Sequence, residues 1–294
     1  NTAAMTAAKI TAASKAPEGG RIEMEGGKPS GVFVDAAMSL VEIREAEAAP
    51  AVAGIYAGLR EGVGVAQVNL IWRHAAALPG VLDWLWAQAA PALASGAAAG
   101  ARDRIAQQVA VPALAAVAAP PGVAELVETY NRGNVTNLGV LTAIRLRVAG
   151  LAAGTPGATA AVGAMLPKPP ALPRLAELPP DIAVLVRGLA AKHGLSDASV
   201  VPSLYLHLTH WPAVMARLPG LLAPVLSPEG VAAGRDAAVA AAEAEAPGLI
   251  AALGPAPAAP EALAPFLATL SLFTGEVIPG MVPIGLALRR AFAA

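Results

Sequence analysis

Three asparagines stand at helical spacing, Asn131, Asn134 and Asn137. If that stripe is buried, its amides need polar partners, which a wet cavity supplies. Otherwise Asn131 or Asn134 caps the start of a helix. His207 stands four residues after Ser203 and three after Leu204, so all three share one helix face. Its ordinary pKa lies near neutrality and suits a general base; the alternative is a half-buried histidine with satisfied hydrogen bonds. Asp197 is a second acid–base candidate, or with Ser196 the cap of a following helix. Arg73 offers a fork for a carboxylate, or a surface ion pair. The four histidines (His74, His193, His207, His210) lack the spacing of a metal cluster, so no metal is expected. Gly62-Val-Gly64 lacks a third glycine and a preceding strand, so no dinucleotide cofactor is expected either.

Composition bounds what could hold such residues. The 294 residues are 56% apolar and 14% charged, with a net charge of −1 and no cysteine. That excludes a disordered chain, a disulfide framework and a thiolate site. The charge balance speaks against a nucleic-acid partner. Prolines and glycines interrupt the charge-free stretches considered, so no membrane span is expected. A cytoplasmic compartment accords with the absence of cysteine. High apolar content with few charges makes a homodimer an expectation.

The elements are expected to be helices. Pro50 suits a first turn, and Val52, Ile55, Tyr56 and Leu59 follow the helical period. Strand signals are weak, so the chain reads as all-α. Residues 1–37 read as a poorly ordered lead-in, and 151–173 as a Pro- and Gly-rich linker with a stiff, extended end. The linker separates 38–150 from 174–294. The two parts resemble each other: Val68 to Pro79 aligns with Val201 to Pro212, pairing His74 with His207. Two tandem helical repeats forming a pseudo-dimer with a central cleft follow as the expected architecture; the two histidines either face each other across the pseudo-dyad or are both half-buried helix histidines with satisfied hydrogen bonds.

The run Tyr130-Asn-Arg-Gly-Asn134-Val-Thr-Asn-Leu-Gly-Val-Leu-Thr-Ala143 resembles the group I 2-haloacid dehalogenases, the DL- and D-specific enzymes. Leu78-Pro79-Gly80 with Arg73 upstream, and Trp211-Pro212 followed by Leu221 to Val225, extend the resemblance over about 50–290. The resemblance implies an all-α pseudo-dimer with its site between the repeats. It also implies hydrolysis of a short 2-haloalkanoic acid: an Asp activates a water that attacks C2 directly, and an Asn holds that water.

Asn134 matches the water-holding Asn and Ser203 a pocket Ser. Leu204 stands where the family has its Asp, Gln67 and Leu70 where it has pocket aromatics, and Asn137 where it has a pocket Tyr. An insertion between Asp197 and Trp211 would restore an Asp from Asp197; in the ungapped register His207 is the candidate base. The expected partner is a small organic acid. The alternatives are a family member without dehalogenase activity that binds or processes another small acid, and a helical scaffold whose interface between repeats is sealed and apolar.

Overall fold

Proline opens four of the helices at their first turn, where its missing N–H costs nothing. The computed structural model describes the backbone of 21–25 and 28–34, and residues 40–195 and 201–292. Before the linker the helices are α1 (Pro50–Val63), α2 (Leu70–Ala76), α3 (Val81–Ala94), α4 (Ala97–Gln108) and α5 (Val123–Val148). After it come α6 (Pro180–Ala191), α7 (Ser203–Leu208), α8 (Pro212–Leu221), α9 (Pro228–Ala252), α10 (Leu263–Leu272) and α11 (Ile278–Phe292). A 3-10 turn precedes each series, at Glu45–Glu47 and at Leu175–Glu177.

The chain is helical, as its alanine-rich, helix-period pattern predicts. One described element departs from that: an antiparallel hairpin of β1 (Arg21–Glu25) and β2 (Lys28–Val34), within the segment read as a lead-in. The asparagine stripe is not a helix start. Gly122, with φ of 85°, precedes α5, so Asn131, Asn134 and Asn137 lie in the helix interior.

Among the described residues two large apolar cores, and a smaller cluster around Ala143 and Leu249, share the central helix. One is built from α1–α4 and the C-terminal part of α5, with Ala238 and Ala242 of α9 and Phe266 and Leu270 of α10 packed into it. The other joins Val123, Leu126 and Val127 at the start of α5 to α6–α8, and to Ile284, Leu288 and Phe292 of α11. At 26 residues α5 is about 39 Å long, enough to serve both. Helices from after the linker thus help fill the core of those before it.

Between α10 and α11 the helix widens into a π-turn, Phe273–Val277. Pro279 lacks an N–H and its ring would crowd the Gly275 carbonyl, which accounts for the loosened ladder. The whole run Leu263–Phe292 has the length and hydropathy to cross a membrane, yet 72% of its apolar window is buried inside the protein. The run is not among the charge-free stretches of the sequence because Glu276 interrupts it.

The segment read as a linker is laid along the helices as an extended strap. The N–H groups of Gly154, Ala160 and Leu166 donate to the carbonyls of Pro247, Gly96 and Gly64 at 2.8, 3.0 and 3.1 Å. Arginines take its carbonyls: Arg104 Nη1 donates to Ala158 and Arg132 Nη1 to Ala164, both at 2.7 Å. These contacts satisfy backbone groups that no helix pairs. Gly100 makes the approach fit, since a Cβ there would collide with the Ala158 carbonyl.

Candidate functional site

Gln67, Leu70, Asn134, Asn137, Ser203, Leu204 and His207 meet at one cavity of about 770 Å³. Gln67 and Leu70 come from the turn before α2 and its first residue, and Asn134 and Asn137 from the middle of α5. Ser203, Leu204 and His207 come from α7. Phe273, Ile278 and Met281 close the side formed by the π-turn and α11, and Lys168 to Leu172 of the strap supply another wall. Elements from both sides of the strap therefore build the cavity, and a sealed apolar interface is not what the structure contains. Asp197 lies outside the described residues.

Polar contacts set what each group can do. Asn137 is committed to structure: its Oδ1 accepts from Trp72 Nε1 at 2.6 Å, and its Nδ2 donates to the Gly133 carbonyl at 2.7 Å. Asn131 donates to the Gly285 carbonyl at 2.8 Å and points away from the cavity lining. Asn134 is the least committed of the three. Its Oδ1 receives a long 3.5 Å contact from Asn69 Nδ2, and its own Nδ2 has no partner among the described residues. Asn69 caps α2 by accepting from the Ile71 N–H at 3.2 Å, which holds it beside Asn134.

His207 is engaged at both ring nitrogens. The Tyr130 hydroxyl lies 2.6 Å from Nδ1, and Nε2 lies 3.0 Å from the Pro170 carbonyl of the strap. A carbonyl only accepts, so the neutral ring carries its proton on Nε2 and receives the phenol proton at Nδ1. Burial lowers the His207 pKa, the Pro170 carbonyl opposes that, and His210 lowers it further. Burial pushes the Tyr130 phenol far above its ordinary value, against hydrogen bonds from the Gln67 and Ser203 side chains. The neutral chain Gln67–Tyr130–His207–Pro170 thus runs along the cavity wall.

The charged lining is almost fully paired. Glu45 receives Arg60 on one oxygen and the Val68 N–H at 3.0 Å on the other. Arg73 pairs with Glu42 at 3.1 Å, so the ion-pair alternative is realised while the residue also lines the cavity. Leu204 is 1% exposed, and it contributes hydrocarbon to the second core as well as to the cavity wall. Among the described residues no group of three or more His, Asp or Glu side chains gathers to hold a metal ion.

His74 takes the structural one of its two alternatives. His74 does not line the cavity with His207: its Nδ1 donates at 2.8 Å to the Val41 carbonyl and its ring stacks on Phe266 of the first core. A carbonyl partner makes it a donor, a structural role. The segment 151–173, read as a Pro- and Gly-rich linker, also lines the cavity through Lys168 to Leu172. Its one signal in the sequence is Lys168 set among Pro167, Pro169 and Pro170. Tyr130 was also left out of the candidate site, although it stands one helical turn before Asn134.

No protein-family model matches the chain, and no curated protein sequence matches it. Solved structures do. A D-2-haloacid dehalogenase mutant superposes with a TM-score of 0.67 at 16% identity, covering 85% of this chain and 95% of that one. A mutant of such an enzyme in complex with D-2-CPA gives 0.67 and 16%, covering 86% and 95%. A complex with L-LA gives 0.67 and 16%, covering 86% and 96%. Over nearly the whole of those enzymes, this chain has the fold of the D-2-haloacid dehalogenases.

Proposed function

We propose that this chain is a dehalogenase-like protein, distantly related to those enzymes, whose cavity takes a short 2-substituted organic acid. One observation carries the reading: Asn134, whose amide donor has no partner among the described residues, shares a cavity of about 770 Å³ with residues from both sides of the strap. That volume suits a small ligand. We also read the chain as a duplicated helical unit. Support comes from the order of elements: a 3-10 turn and a proline-led helix open each series, followed by four further helices in the first and five in the second, where α10 and α11 run on through the π-turn.

Among the described lining residues no carboxylate is free to take a proton from water. Glu45 is held on both oxygens, Leu204 is hydrocarbon, and both His207 nitrogens are occupied. This favours a protein that binds or processes another small acid over one that expels halide by direct water attack. The hydrolytic reading retains one support: Asn134 and His207 line the same cavity, as a water-holding amide and a base would.

Thermal denaturation with D- and L-2-chloropropionate tests the binding reading. A ligand that binds the folded chain raises Tm, by about 2.7 kcal/mol of added stability at a hundred times Kd. The expected result is stabilisation by at least one enantiomer, lost in Asn134→Ala; no shift with either contradicts it. Halide release separates the two chemistries. Release that disappears in Asn134→Ala and in His207→Asn establishes hydrolysis, and binding without release establishes the other reading.

A further inference from the structure

Among the described lining residues the charges do not cancel. Glu45 is neutralised by Arg60 and Arg73 by Glu42, while Lys168 lines the same cavity and has no partner among the described residues. Among the described residues one unpaired cation is left at the cavity, and it sits on the strap.

The backbone around Lys168 is held from both sides. Upstream, the Leu166 N–H donates to the Gly64 carbonyl at 3.1 Å. Downstream, His207 Nε2 and His210 Nε2 donate to the carbonyls of Pro170 and Ala171 at 3.0 and 2.8 Å. Pro167, Pro169 and Pro170 restrict φ at their own positions, and Pro169 confines Lys168 to extended backbone. The main chain is therefore fixed at the cavity, while the ammonium keeps its flexible four-carbon stem. A cation placed in this way favours an anionic ligand and loses little ordering entropy when one binds.

We infer that Lys168 anchors the carboxylate of the ligand, which makes the strap part of the binding site. The inference rests on the small-acid reading. It adds a selection rule: the site takes a monoanion, and the uncharged amide of the same acid binds more weakly.

Calorimetric titration of D-2-chloropropionate, L-2-chloropropionate and 2-chloropropionamide into the full chain tests it, with Lys168→Met and Lys168→Arg beside the wild type. Lys168 is exposed, so neither variant disturbs a core. In wild type the acid is expected to bind about tenfold tighter than the amide, or more. Lys168→Met is expected to bring the acid down to the affinity of the amide and leave the amide unchanged. Lys168→Arg should retain most of the preference. Acid affinity unaltered in Lys168→Met overturns the inference and leaves the small-acid reading standing. A wild type that binds neither acid nor amide overturns both.

Discussion

The Tyr130 hydroxyl donates to His207 Nδ1 at 2.6 Å, while His207 Nε2 donates to the Pro170 carbonyl at 3.0 Å. Three segments distant in sequence, α5, α7 and the strap, are joined through one imidazole. Tyr130→Phe leaves Nδ1 without its donor, and is expected to cost about 1–3 kcal/mol of stability in urea denaturation. A loss below about 0.5 kcal/mol would show that the bond does not hold the wall together. Nitrogen chemical shifts of the ring should report Nε2 as the protonated atom.

His193 makes folding sensitive to acid. Its ring is buried, accepts or donates at 2.8 Å with the Tyr205 hydroxyl, and has its backbone carbonyl held by Arg235 at 2.7 Å. Burial lowers its pKa from the ordinary 6.5 to about 4, with the Arg235 charge adding to the effect. Above pH 6.5 both folded and unfolded rings are neutral and the stability is fully present. As pH falls toward 4 the unfolded ring takes a proton that the folded ring refuses, so stability drops by about 3 kcal/mol from this group. His193→Gln should remove most of that part of the slope between pH 7 and 4. An unchanged difference between the two pH values would refute it.

Gly100 sets how closely the strap can lie on α4. A Cβ there would meet the Ala158 carbonyl, which Arg104 also holds. Gly100→Ala is expected to lift this stretch, at about 1–3 kcal/mol. Limited proteolysis should then cut within 150–173 faster than in wild type. An identical digestion pattern would mean that the strap adjusts without cost.

Leu204 belongs to the second core as much as to the cavity. Leu204→Ala should cost about 2–5 kcal/mol, toward the lower end because the deleted atoms open into an existing space. Chemical denaturation measures this directly, and a cost under 1 kcal/mol would show Leu204 to be peripheral to the core.

Much of the site was legible in the sequence because it rides on periodic elements. Spacing puts Asn131, Asn134 and Asn137 on one helix, of which Asn134 and Asn137 line the cavity, and puts His207 on the helix of Ser203 and Leu204, which the family resemblance had singled out. The start of α5 was not legible. Gly122 opens it well before the asparagines, and the alternative of an asparagine cap rested on side-chain preference alone. His74 and His207 occupy matching positions but different surroundings, since matching positions say nothing about which neighbours fill the space. The strap was missed for a similar reason. Its contacts are carbonyls met by arginines more than 30 residues away, and no local pattern encodes them.

The central claim is that both sides of the chain build one small-acid site around Asn134. Titration of D- and L-2-chloropropionate, each separately, into wild type and Asn134→Ala tests it most directly. The account predicts saturable binding at one site per chain for at least one enantiomer, weakened about tenfold or more in the variant. No saturable heat from either enantiomer, or equal affinity in Asn134→Ala, would contradict it.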